Sequence, residues 1–196
     1  MSSILELLAG SLGGGAVNQI GEKLGLDPAT TGKVVSAAIP LLVTALANNS
    51  STPQGAQSLH TALSSDHDGS VLDDIMGFLG SAQGGGAGAG ILKHVFGNKR
   101  ETVQAGLGQS TGVDPSSVGQ ILEIVAPMVM GALGRQTQQS GMDAGGLTDF
   151  LQGQARSAQQ AQPDILGSVL GMLDANKDGG IIDDVGGILG KLFGKK

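Results

Sequence analysis

Apolar residues recur every three or four positions along most of the chain, and no stretch alternates apolar with polar. That spacing is the helical period, and the β-branched residues fall inside it. The expected fold class is all-α. Val17, Ile20 and Leu24 share one face of an amphipathic helix over residues 16–24, and Gly25 stands where a C-terminal cap is needed. Asp27-Pro28 opens the next helix. A carboxylate accepts the orphan amide bonds at the N-cap, and proline suits the first position because it has no N–H there to leave unpaired. Residues 34–47 are apolar nearly all round, so this helix belongs at the centre. Pro40 lies inside it, removes one backbone bond and predicts a kink.

The pattern returns 87 positions on. Gly25-Leu26-Asp27-Pro28 matches Gly112-Val113-Asp114-Pro115, Gly32 matches Gly119, Pro40 matches Pro127, and Ala45-Leu46 matches Ala132-Leu133. An interior proline repeated at one place argues for duplication. We therefore expect a helical bundle of two related halves, 1–97 and 98–196, each with a Pro-kinked buried central helix. In the first half, residues 53–63 read as an amphipathic helix, 64–75 as an acidic turn and 71–79 as a short helix. Residues 81–90, nearly all Gly and Ala, read as a flexible linker. The second half carries a Gln-rich insertion at 136–162, with Leu147, Phe150 and Leu151 as its apolar contacts. A helix at 165–173 and an acidic turn at 174–185 follow. Ile91-Leu92-Lys93-His94-Val95-Phe96-Gly97 resembles Ile188-Leu189-Gly190-Lys191-Leu192-Phe193-Gly194 near the end.

The two turns carry the candidate chemistry. Asp68/Asp178, Gly69/Gly179, Asp73/Asp183 and Asp74/Asp184 are identical pairs. A calcium loop of the EF-hand or dockerin kind places oxygen ligands at positions 1, 3 and 5, Gly at 6, an apolar residue at 8 and a bidentate carboxylate at 12. The second turn supplies Asp174, Asn176, Asp178, Gly179 and Ile181 in those places; the first supplies Ser64, Asp66, Asp68, Gly69 and Val71. Position 12 is Val185 or Ile75, neither of which can coordinate, so a substitute must come from Asp183 or Asp184 in the second turn and from Asp74 in the first. The expectation is weak Ca2+ binding, near 10⁻⁴–10⁻³ M. The competing reading is a turn with a helix cap. Asp bonds its own backbone, Gly supplies a positive φ, and paired Asp favours a helix N-terminus.

Composition narrows the classes. Gly numbers 35, more than twice the usual ~7% share, which calls for short helices, close helix contacts or mobile segments. Four Phe with no Trp or Tyr leave an aliphatic core and no stacking platform. A net charge of -6 argues against nucleic acid. The absence of Cys removes disulfides and thiolate chemistry. Met1-Ser2-Ser3-Ile4-Leu5-Glu6 has no basic region, and the uncharged run at 34–47 is short of the ~20 residues of a spanning helix. A cytoplasmic protein is expected. His60 and His67 beside Asp66 and Asp68 are a lesser candidate for zinc, since Lys177 and Lys191 stand opposite His67 and His94. No Ser sits in a Gly-x-Ser-x-Gly elbow with a credible His partner, and neither Gly13-Gly14-Gly15 nor Gly84-Gly85-Gly86 is followed by the Lys-Ser/Thr of a phosphate loop.

Gly-Leu-Asp-Pro before a Pro-containing apolar helix, then Asp-His-Asp-Gly-Ser-Val-Leu-Asp-Asp-Ile, resembles the bacterial domain-of-unknown-function family 937, related to the YidB-like helical proteins. The resemblance covers most of the chain. It implies an all-helical bacterial bundle and supplies no reaction, cofactor or catalytic residue. The second half departs from the first by its Gln-rich insertion and by Gly180 in place of Ser70. A non-enzymatic scaffold that binds a protein partner or itself is the expected function. The alternatives are membrane-surface association through residues 181–196, or a hydrolase with a pocket at the prolines.

Overall fold

The computed structural model describes residues 4, 8, 10, 12–80 and 83–173. Among them there is no strand. Helices α1 (Gly14–Leu24) and α2 (Pro28–Asn49) form a first pair, and α6 (Arg100–Thr111) and α7 (Pro115–Ser140) a second. Helices α3 (Pro53–Ser65), α4 (Ile75–Gly80) and α5 (Gln83–Phe96) lie between the pairs, and α8 (Ala144–Ala161) and α9 (Pro163–Leu173) follow them.

Both pairs turn in the same way, for the reasons legible in their residues. Gly25 and Gly112 end α1 and α6 in the left-handed region, with φ of 68° and 75°. Asp27 Oδ1 accepts the Thr30 amide at 3.0 Å, and Asp114 Oδ1 accepts the Ser116 amide at 2.8 Å. Pro28 and Pro115 open α2 and α7. A Cβ on Gly21 would lie 2.7 Å from Leu26 O, and one on Gly108 2.7 Å from Val113 O. Each chain reversal therefore folds back onto a glycine.

Helices α2 and α7 pack against each other at the centre. Leu41, Leu42, Ile121, Leu122 and Leu133 are almost wholly buried. Helix α8 packs on α2, α5 on α7, α3 against both α7 and α8, and α9 on α6. The polar residues that cap and flank residues 34–47 join the helix, so α2 reaches 22 residues and α7 reaches 26. Both are thus long and apolar enough to cross a membrane, unlike the shorter run expected; in this fold 67% and 83% of their apolar windows are buried within the bundle.

Three sequence expectations shift. Residues 83–90, most of the stretch expected as a flexible linker, open α5, and that helix packs closely on α7. A Cβ on Gly88 would stand 1.7 Å from Glu123 O, so only glycine lets the two backbones meet. The Gln-rich stretch is no separate insertion at its start: residues 136–140 continue α7, and α8 buries Leu147 and Leu151 with Phe150 partly covered. Residues 71–79 are not one helix but a single 3-10 turn, Ser70–Leu72, followed by α4.

Both central helices run unbroken past Pro40 and Pro127. Each proline lacks the N–H that would bond the carbonyl four residues back, leaving Ser36 O and Glu123 O without that donor. Gln162 Nε2 donates to Ser36 O at 3.3 Å, and Gly88 lies against Glu123 O. The Gln-rich and Gly-rich stretches thus cover the two carbonyls that the prolines expose.

Candidate functional site: the first acidic turn and the cleft beside it

The first acidic turn is built as a docking corner on α7. Asp66 closes α3, its amide bonding Ala62 O at 3.0 Å. Gly69 takes φ of 95°, a conformation that a side chain would strain. Asp68 Oδ1 accepts the Ser70 amide at 2.9 Å, and Asp74 Oδ1 accepts the Gly77 amide at 2.8 Å. Ser64 Oγ donates back to His60 O at 2.8 Å. The bonds from Ser70 hold the Asp68 carboxyl below its ordinary value, with Arg135 adding to them.

Two glycines of α7 form the floor. A Cβ on Gly134 would lie 1.7 Å from His67 O, and one on Gly131 would lie 2.6 Å from a Val71 methyl. Arg135, one residue beyond Gly134, reaches over the turn. Its Nη2 donates to Gly69 O at 2.8 Å and to Asp73 Oδ1 at 2.6 Å. A guanidinium from the second half therefore supplies the positive charge at this corner.

Of Ser64, Asp66, Asp68 and Asp74, the ligand set expected in the first turn, three have hydrogen-bond partners of their own. Asp68 and Asp74 each cap a backbone amide, and Ser64 is tied to its own helix. Among the described residues no group of three or more His, Asp or Glu could hold a metal ion. Asp174, Asn176, Asp178 and Asp184 lie outside the described residues, as do Lys177 and residues 181–196. His60 Nε2 meets Met142 O at 3.0 Å, and His94 Nδ1 meets Gly90 O at 3.0 Å. Both rings are therefore engaged with backbone rather than with each other. Burial lowers the His67 pKa, against the opposing pull of Asp66 and Asp68, so its ring is neutral near pH 7.

Next to the turn lies a cleft of ≈ 510 Å³ between the C-terminal part of α2, α3, α5 and α7. Leu46, Leu59, Ala62, Ala87, Ile91, Val95 and Met130 make its walls; Asn49, Ser58, Asp66, His67 and His94 mark its polar edge. Neither Pro40 nor Pro127 lines it. Asn49 is partly committed: its Nδ2 donates to Val95 O at 2.9 Å and caps the end of α5. The volume is within the range of small-ligand pockets, ~300–1,000 Å³. No hydrogen bond joins Ser58, Asp66, His67 and His94 into a nucleophile–base pair.

A family model described as bacterial protein of unknown function (DUF937) matches residues 6–136. The chain belongs to this family. The DUF937 match takes in Arg135 and every residue that lines the cleft, and it stops before α8, α9 and the second acidic turn. No curated protein and no solved structure matches the chain.

Sequence reasoning missed the cleft and Arg135. The cleft's walls come from four helices and run from Leu46 to Met130, and no spacing rule joins them. Arg135 binds a residue 62 positions away. The only local trace of it is Gly131-x-x-Gly134-Arg135, small residues that open a helix face to something packed closely against it.

Proposed function

We propose that this chain is a non-enzymatic, cytoplasmic helical interaction protein, and that the cleft between α2, α3, α5 and α7 is its binding site for an apolar protein segment. The observation that carries this reading is the lining: seven aliphatic or small apolar walls and a few polar groups at one edge. An aliphatic wall without aromatic rings favours Leu-, Ile- or Val-type side chains over flat, stacking ligands. Catalysis has no comparable support, because the edge groups bond backbone rather than one another.

The matching chain reversals at Gly25 and Gly112, and the interior prolines at equivalent places, support a two-unit origin for the bundle. On that reading the cleft arises where α2, α3 and α5 of the first unit meet α7 of the second. Weak calcium binding, if the chain has it, belongs to the second turn, because Arg135 already answers the charge of the first.

The test is a titration with Nile red, a neutral dye whose emission reports an apolar site. One saturable site is expected, and Ala87→Trp, which fills the cleft from its exposed α5 wall, removes it. Dye emission unchanged by the protein, or a signal indifferent to Ala87→Trp, contradicts the proposal.

A further inference from the structure

Resting on the reading of the cleft as a binding site, we infer that its resident occupant is the chain's own C-terminal segment, residues 188–196, held there in competition with outside partners. Three observations converge on this segment. First, Ile188-Leu189-Gly190-Lys191-Leu192-Phe193 repeats the pattern of Ile91-Leu92-Lys93-His94-Val95-Phe96 at the end of α5. In α5 that pattern is two-sided: Leu92 and Phe96 are buried in the core, while Ile91 and Val95 face the cleft. A second copy of the pattern carries the same apolar spacing, the kind of spacing that apolar grooves recognise.

Charge agrees. The one charged residue in the cleft's lining is Asp66, with Asp68 in the same turn, whereas the segment carries Lys191, Lys195 and Lys196. Lys93 of α5 and Arg135 of α7 also lie on the flanking elements, and Arg135 is already paired with Asp73.

Reach agrees as well. The described chain ends at Leu173 of α9. Residues 174–187 span up to ~46 Å when extended, against a radius of gyration of about 16 Å for a compact chain of this length. A tether of that kind holds the segment at an effective concentration on the order of millimolar, so an apolar contact of modest strength keeps it in place.

The experiment uses the full chain, which has no native cysteine. A nitroxide attached at Lys191→Cys should broaden the methyl signals of Ala62, Ala87 and Met130 and leave that of Met76, on exposed α4, unaffected. The paired variant Leu192→Asp with Phe193→Asp should abolish the broadening and tighten Nile red binding by roughly tenfold, the gain expected when a competing state is removed. Broadening at another face, or seen only between separately labelled copies, overturns the tethered docking. So does dye binding that is unaltered by the paired variant while still blocked by Ala87→Trp, a result that leaves the cleft standing as a site. Failure of the dye to bind either chain would instead remove the cleft itself.

Discussion

Gly88 of α5 lies against the carbonyl of Glu123 on α7, the oxygen that Pro127 leaves without a helical donor. A methyl at Gly88 would stand 1.7 Å from that oxygen, so α5 would have to lift away. Gly88→Ala should therefore cost about 1–3 kcal/mol, the usual penalty of overpacking. Gly90→Ala meets nothing within 4 Å and should instead gain up to about 1 kcal/mol of helix propensity. Urea unfolding of the two variants gives opposite signs; equal effects would show that α5 does not rest on α7 in this way.

Gln162 and Pro40 form the matching relationship in the other central helix. Gln162 Nε2 serves Ser36 O because Pro40 cannot. Gln162→Ala should cost about 0.5–1.5 kcal/mol in the parent chain, the net value of one hydrogen bond. In a Pro40→Ala background the backbone N–H returns to Ser36 O, and the same change should cost little. A double-mutant cycle measures that difference; additive losses would contradict the pairing.

Arg135 clasps the first acidic turn to α7 through Gly69 O and Asp73. Arg135→Ala should cost about 1–3 kcal/mol, as hydrogen bonds to a charged donor do, with the exposed Asp73 contributing the smaller part. Hydrogen exchange should quicken at the turn, starting with the Ser70 amide held by Asp68. In a chain carrying Asp174→Ala and Asp178→Ala, millimolar calcium should give no binding heat. Heat that Asp68→Ala then removes would place a cation in the first turn after all.

Acid should weaken the fold through its caps. Asp27, Asp68 and Asp114 are each held below the ordinary carboxyl value, chiefly by hydrogen bonds from Thr30, Ser70 and Ser116. A depressed folded pKa means that the unfolded chain binds protons first. The stabilisation is thus complete above the unfolded value of about 3.9 and is lost as pH falls through the lower folded values. His67 works in a higher window: its lowered pKa makes protonation unfavourable in the fold, so stability falls as pH drops below about 6.5. Melting temperatures from pH 7 to pH 2 should show both limbs. Asp27→Asn with Asp114→Asn should flatten the lower one, and His67→Gln the upper.

The helix starts were readable because their causes are local. Asp27-Pro28 and Asp114-Pro115 cap by contact with residues two or three places on, and Gly25 ends α1 by its own φ. The apolar stretch around Pro40 announced a central helix because only Ser36 and Thr44 interrupt it and nothing charged does. The Gly-Ala run at 83–90 misled, since glycine disfavours an isolated helix, whereas here the absence of side chains is what admits α5 to α7. The acidic turn was readable as a turn but not as a docking corner, because Gly131, Gly134 and Arg135 belong to the other half of the chain. Its carboxylates were counted as ligands by their spacing, which does not reveal that Asp68 Oδ1 and Asp74 Oδ1 accept the backbone amides of Ser70 and Gly77.

The most direct test of the cleft as the working site is a methyl spectrum of the full chain with isotope-labelled methionine, recorded as Nile red is added. Met130 lines the cleft and Met76 is exposed on α4. The account predicts that the Met130 signal moves saturably while Met76 stays in place. A Met130 signal that does not move, or that moves no more than Met76, would contradict it.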